Sequence, residues 1–169
     1  CIPAGESYRY LMGHFPAPWG DEIRIGPLET VMAAAVALVM TLILAGGKSH
    51  IREDTEPDKV QLYCGVACLL TASLLALVFT NDIFTAYVFV EINTLASCAL
   101  VMARYRSGMA LAATVRYLIM SLLGSGLFLI GIVILYHITG HLLMEPMGEK
   151  IRELAASSDY ALPLTVTIG

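Results

Sequence analysis

The chain has 169 residues, of which 57% are hydrophobic and only 14% charged, and its mean hydropathy is +0.74. Soluble domains carry about 25% charged residues, so this chain has too little polar surface to cover itself in water. A formal net charge of −4 without a basic stripe argues against a nucleic-acid partner. The composition therefore indicates an integral membrane protein whose first partner is the lipid bilayer.

Residues 1–26 are polar and rich in turns, and they predict an extramembrane segment. The run Phe15-Pro-Ala-Pro-Trp-Gly20 is interrupted by proline and glycine in the manner of a turn. Residues 21–25 then alternate in the manner of a short strand. The sequence begins with Cys1 and ends in an apolar run, which we interpret as a fragment of a longer protein or as one product of a split gene.

Four apolar segments follow, each long enough to cross the roughly 30 Å hydrocarbon core. The predicted spans are 27–46, 61–80, 83–103 and 110–138, within a transmembrane region at 27–140. Residues 141–159 predict a second extramembrane segment with an amphipathic helix at 147–156, and residues 160–169 the start of a further span. Because a backbone in lipid must satisfy its own hydrogen bonds, the predicted fold is an all-α polytopic transmembrane bundle.

The connections between the spans predict the orientation of the bundle. By span parity, the charged loop at 48–59 and the short turn at 104–108 lie on the same side of the membrane. That side holds Lys48, Arg52, Lys59, Arg104 and Arg106. The other side holds Arg9, Arg24, Lys150 and Arg152. The excess of Lys and Arg, together with the shortness of the 104–108 turn, predicts that the first side is cytoplasmic.

Glu91 is an ionisable residue near the middle of the third span. It follows Asp82, the predicted N-cap of that helix, by nine residues, and this places it about 13 Å into the hydrocarbon core. A carboxylate at this depth costs several kcal/mol unless it faces protein or water. Because desolvation favours the neutral form of a carboxyl group, such a group can accept and release a proton near neutral pH. Glu91 is therefore the predicted proton relay, and a purely structural, hydrogen-bonded glutamate is the alternative.

Polar side chains flank Glu91 on one face of its helix. Tyr87 lies four residues before Glu91, Thr94 lies three residues after it, and Cys98 lies seven after it. This is the spacing of residues that share one helix face. The second span carries a matching stripe at Gln61, Cys64, Cys68 and Thr71. Two such stripes predict a hydrated interior between the helices, with the three cysteines as small core residues rather than disulfides or metal ligands.

Arg116 is the second charge within a predicted span, six residues into the fourth. Helix rise alone places it about 9 Å from the level of Glu91, a gap that its side chain and one water can bridge. A nearby cation favours the ionised carboxylate, so Arg116 is the predicted charge modulator of Glu91. The alternative is that Arg116 extends to the cytoplasmic interface. The small residues that follow it, Ser121, Gly124, Ser125, Gly126 and Gly131, are typical of close helix packing.

Two stretches together resemble a known family: NDIFTAYVFVEINTLASCAL at 81–100 and TVRYLIMSLLGSGLFLIGIVILY at 114–136. Both are similar to the antiporter-like membrane subunits of respiratory complex I, Mrp-type sodium/proton antiporters and membrane-bound hydrogenases. The resemblance covers about 27–144 and implies that the four spans are the third to the sixth of a larger fold with inverted repeats. It also implies that Glu91 matches the proton-channel glutamate of the fifth transmembrane helix. Arg116 departs from the family by standing where many members have a lysine, and arginine stays charged where a buried lysine can titrate.

The resemblance implies a proton-translocating subunit, with sodium transport left open, that forms part of one half-channel. Its partners are then other membrane subunits of a complex I-like or Mrp-like assembly in the inner membrane of a bacterium or archaeon. A non-conducting structural assembly subunit and an independent small-solute secondary transporter are the alternatives. The sequence lacks phosphate-binding, Rossmann, CxxC and zinc motifs as well as paired haem-ligand histidines within the spans. It therefore predicts a non-redox chain that binds no cofactor and no metal.

Overall fold

The computed structural model describes residues 7–12, 21–47, 57–104 and 108–155. Within these residues, two strands form an antiparallel hairpin, β1 (Tyr8–Leu11) and β2 (Glu22–Ile25), in which Tyr8 is paired with Ile25. The helices are α1 (Pro27–Gly46), α2 (Pro57–Phe79), α3 (Ile83–Arg104), α4 (Gly108–Thr139) and α5 (Met144–Ala155). Most of the predicted loop at 48–59, most of the turn at 104–108 and the predicted span at 160–169 lie outside the described residues.

Helices α1 to α4 are each long and apolar enough to cross a membrane. Their apolar segments are Pro27–Gly46, Lys59–Phe79, Ile83–Ala103 and Leu111–Thr139. These match the predicted spans to within two residues at each end, so the prediction of an all-α transmembrane bundle is confirmed. Helix α4 has 32 residues and is therefore about 48 Å long. It exceeds the hydrocarbon core and must tilt or protrude.

The ends of the helices follow local chemistry that is visible in the sequence. The Oδ1 atom of Asp82 accepts a hydrogen bond of 2.8 Å from the backbone N–H of Thr85, which confirms the predicted N-cap of α3. Helix α4 ends at Gly140, whose φ of 72° lies in the left-handed region that favours glycine. Helix α5 begins at Met144, three residues before the predicted start. The reason is tertiary, because the backbone N–H of Met144 donates to the carbonyl of Asn81 at 2.9 Å.

Asn81 joins three parts of the chain at one end of the bundle. Its backbone N–H donates to the carbonyl of Glu22 at 2.9 Å, and its carbonyl accepts from Met144. Two residues after Asn81, the backbone N–H of Ile83 donates to the carbonyl of Leu142 at 3.0 Å. The hairpin, the α2–α3 turn and the α4–α5 connection are therefore held against one another by backbone hydrogen bonds.

The spanning helices pack in chain order: α1 lies against α2, α2 against α3, and α3 against α4. The α2–α3 contact is built on small residues: Ala67 is 2% exposed and Ala96 is 3% exposed. Ala67 lies 14 residues before Asn81 and Ala96 lies 15 after it, so the two alanines stand at nearly the same level of the antiparallel pair. Small side chains at one level let two helix backbones approach closely.

Candidate functional site

The polar stripe predicted on α3 faces α4. At one end of the stripe, the ring of Tyr87 contacts the ring of Phe128 on α4, with 6.2 Å between their centroids. At the other end, Cys98 is buried and lines a groove of 320 Å³ between the two helices, which Thr114 and Tyr117 line from α4. The stripe therefore lies on the side of α3 away from the alanine contact with α2.

Glu91 lies one helical turn from Tyr87 on this stripe and is half-buried. Because α3 and α4 are antiparallel, the contact between Tyr87 and Phe128 places Glu91 level with about Gly124. Ser121 and Ser125 lie within one turn of Gly124, and both are half-buried. Space beside this segment is open, since a side chain added at Gly124 would meet no atom within 4 Å. By this register, Glu91 lies near the middle of α3 and level with a segment of α4 that is made of small and hydroxyl-bearing residues.

Arg116 is exposed and does not pair with Glu91. It lies eight residues before Gly124, which is about 12 Å along the helix. Five residues at about 100° each also turn it about 140° around α4 from Ser121. Helix rise alone gave a shorter distance between Arg116 and Glu91, because it counts only the separation along the helix axis and does not include this rotation. No direct ion pair joins the two residues, and a role for Arg116 as charge modulator stays a prediction.

The stripe predicted on α2 does not meet the stripe on α3. Gln61, Cys64 and Cys68 are exposed, whereas Ala67 beside them is buried against α3. The prediction that Cys64 and Cys68 are core residues is therefore wrong for this segment, although both are free of disulfides. Periodicity identifies which residues share a helix face, but it does not say which neighbour that face meets.

An acidic pair lies where the hairpin meets the start of α3. An isolated bridge between Ile23 and Thr80 brings β2 onto the α2–α3 turn, and this sets Asp21 close to Asp82. Burial raises the pKa of Asp21 above its usual 3.8, and the negative charge of Asp82 raises this pKa further. Sequence reasoning missed the pair because it depends on tertiary docking of the hairpin, which no local pattern encodes.

The raised pKa of Asp21 predicts a pH-dependent stability. A carboxyl group that is easier to protonate in the folded state stabilises the fold below its unfolded pKa, and this contribution is lost as pH rises through the folded pKa. Melting temperatures of the purified full-length protein should therefore rise as pH falls towards 3.8. In Asp21→Asn this rise should be smaller, and stability at neutral pH should be at least that of the parent. The exposed Glu149→Gln serves as control, and an unchanged pH profile in Asp21→Asn would contradict the assignment.

The described part of the chain contains no cluster of three or more His, Cys, Asp or Glu side chains that could hold a metal ion. The four spanning helices run without a break over the ranges given above. Within these four described helices, the Asp, Glu, Lys and Arg residues that lie more than one turn from a helix end are Glu91 and Arg116.

Comparison with known proteins gives consistent relatives. Residues 80–168 match the family described as NADH:quinone oxidoreductase/Mrp antiporter, TM. The chain is 30% identical over 165 residues to the NADH-quinone oxidoreductase subunit N of Desulforudis audaxviator, covering 98% of this chain and 32% of that protein. It is 29% identical to a putative antiporter subunit mnhD2 of Staphylococcus saprophyticus, over 89% of this chain and 29% of that protein.

Two solved structures share the fold. A chain of an archaeal membrane-bound sulfane sulfur reductase matches with a TM-score of 0.66 and 26% identity, covering 81% of this chain and 27% of that one. A chain of the Mrp complex from Dietzia sp. DQ12-45-1b matches with a TM-score of 0.72 and 24% identity, covering 95% of this chain and 29% of that one. The chain thus spans about a third of the length of the proteins it resembles.

Proposed function

Because the chain belongs to the NADH:quinone oxidoreductase/Mrp antiporter transmembrane family, we propose that it forms part of a proton-translocating membrane subunit with Glu91 as the proton relay. The subunit works within a complex I-like or Mrp-like assembly, in contact with other membrane subunits. Its site is the inner membrane of a bacterium or archaeon. Sodium is a second candidate ion, since relatives in the family include antiporter subunits.

The observation that carries the proposal is the placement of Glu91. It is half-buried near the middle of α3, on the face of that helix that packs against α4, and no protein cation neutralises it within the described residues. Ionisable residues at this depth are costly and commonly mark ion pathways. A carboxyl group whose charged form is not fixed by an ion pair is free to exchange a proton, which is what a relay requires.

Transport by the intact assembly tests this function. The complex containing the full-length protein, reconstituted in liposomes, should move protons when it is driven. Repeating the assay with sodium replaced by potassium separates proton pumping from sodium/proton exchange. If an assembled complex moved protons equally well without this subunit, the non-conducting, structural alternative would be favoured instead.

Arg116 is proposed to act on Glu91 as a fixed positive charge at a distance rather than as a contact. Arg116 lies about 12 Å along the helix from the level of Glu91, and charges at separations of this order still interact appreciably in a medium less polarisable than water. Arg116→Lys should therefore keep most of the transport rate, whereas Arg116→Ala should lower it several-fold. Both rates are measured as initial proton flux per assembled complex. A parent-like rate in Arg116→Ala would leave Arg116 as a residue that simply extends to the interface.

A further inference from the structure

We infer that Ser121 on α4 is a positioning residue whose hydroxyl is linked to the Glu91 carboxylate by hydrogen bonds through one water molecule. The inference rests on the proposed function of Glu91 and adds to it a partner on the neighbouring helix. Three features of the structure support it: the register of the two helices, the rotation of α4, and the hydrogen-bonding state of the hydroxyl groups nearby.

The register of the helices brings the two residues to the same level. Two contacts define it, Tyr87 with Phe128 at one end and Cys98 with Thr114 and Tyr117 around a shared groove at the other. Between these contacts, the antiparallel arrangement places Ser121 opposite about residues 92–94. Glu91 therefore lies within one helical turn of Ser121.

The rotation of α4 turns Ser121 towards α3. Thr114, Ser121, Phe128 and Leu135 recur at intervals of seven residues, which keeps them on nearly one face of the helix. Thr114 is 6% exposed and Leu135 is 9% exposed, and Phe128 makes the ring contact with α3. Ser121 belongs to this inward face and is itself half-buried.

The hydroxyl of Ser121 is free to act as a donor. A serine in a helix commonly donates to the carbonyl three or four residues earlier. Ser125 does so to Leu122 at 3.1 Å, and Ser97 does so to Asn93 at 2.8 Å. Neither Ser121 nor the Glu91 carboxylate makes a hydrogen bond to any residue that the structure describes. A donor and an acceptor at the same level of an open segment can be joined by one water when they do not touch.

Other titratable or charged groups do not replace Ser121 as a partner of Glu91. From α4, Arg116 and Tyr117 lie about 10–12 Å nearer the opposite end of the pair, at the level of Cys98. Helix α2 packs on the far side of α3, and its titratable groups with described side chains are Lys59, Tyr63, Cys64 and Cys68. The nearest of these to the level of Glu91 is Cys68, which is exposed. On α3 itself, Tyr87 is one turn away and its ring packs on Phe128.

The test uses the intact complex in liposomes, with the pH profile of proton flux as the readout. A donated hydrogen bond stabilises the ionised carboxylate, so Ser121→Ala should move the profile to higher pH by about one unit. Ser121→Thr keeps the hydroxyl and should restore the parent profile. Ser125→Ala is the matched control, since that hydroxyl already donates to a backbone carbonyl.

The outcomes separate this inference from the proposed function. If Ser121→Ala and Ser125→Ala shift the profile equally, or if neither shifts it, Ser121 is not the partner and the inference fails. If Ser121→Thr fails to restore the profile although the complex assembles, packing rather than the hydroxyl is responsible, and the inference again fails. Glu91→Gln reports on the proposed function by itself, because a loss of flux in that variant stands whatever Ser121 does.

Discussion

Replacing Glu91 by glutamine is expected to abolish proton translocation while the complex still assembles. Glutamine has nearly the shape of glutamate and can hydrogen-bond, so the packing of α3 against α4 should survive. It cannot ionise, however, and a proton relay needs a group that alternates between two protonation states. The change also removes a charge that is costly at mid-membrane, so stability should stay equal to that of the parent or rise.

The measurement is initial proton flux in liposomes, normalised to the amount of complex on a native gel. Glu91→Asp should retain part of the flux, because aspartate ionises but is one methylene shorter. Glu149→Gln is the matched control, since the same chemical change is made at an exposed residue of α5, outside the spans. Parent-like flux in an assembled Glu91→Gln complex would reduce Glu91 to a structural residue.

Helix boundaries were largely predictable because their signals are local. An apolar run of sufficient length, Pro27 in a first turn, Asp82 before α3 and Gly140 after α4 each act through neighbouring residues. The start of α5 and the acidic pair of Asp21 with Asp82 were not predicted. Both depend on the hairpin and the turn around Asn81 coming together in space.

The candidate site was predictable in its residues but not in its partners. The seven-residue spacing identified the face of α3 that carries Glu91, and this face does pack against another helix. The matching stripe on α2 is largely exposed rather than packed against α3, and the rise along the axis did not say where Arg116 lies around its helix. The argument from the stripe used only the helical periodicity, and the argument about Arg116 used only the rise along the helix axis. Which side chains meet is decided by register and rotation together, and the proposal that Ser121 is the partner of Glu91 uses both.

Replacing Ala96 by leucine is expected to lower the stability and the yield of the assembled complex, in contrast to the loss of flux alone in Glu91→Gln. Ala96 is 3% exposed and stands level with Ala67, which is 2% exposed, on the neighbouring helix α2 that packs against α3. Nine residues at about 100° each place Ala96 on the face of α3 opposite Tyr87, so this contact is separate from the Glu91 stripe. Extra methylene groups forced into a tight contact typically cost about 1–3 kcal/mol and displace the backbone.

The matched control for this substitution is Ala99→Leu, the same change three residues further along α3 at an exposed alanine. Ala96→Gly removes rather than adds bulk and should cost only about 1 kcal/mol. The amount of assembled complex on a native gel and its melting temperature report the effect. Helices α2 and α3 can pack closely only if the side chain at position 96 is small. The amount of assembled complex and its melting temperature should therefore be well below those of both controls in Ala96→Leu. Equal yields and melting temperatures for Ala96→Leu and Ala99→Leu would mean that α2 and α3 do not pack closely at this level, and the register that places Glu91 against α4 would have to be revised with it.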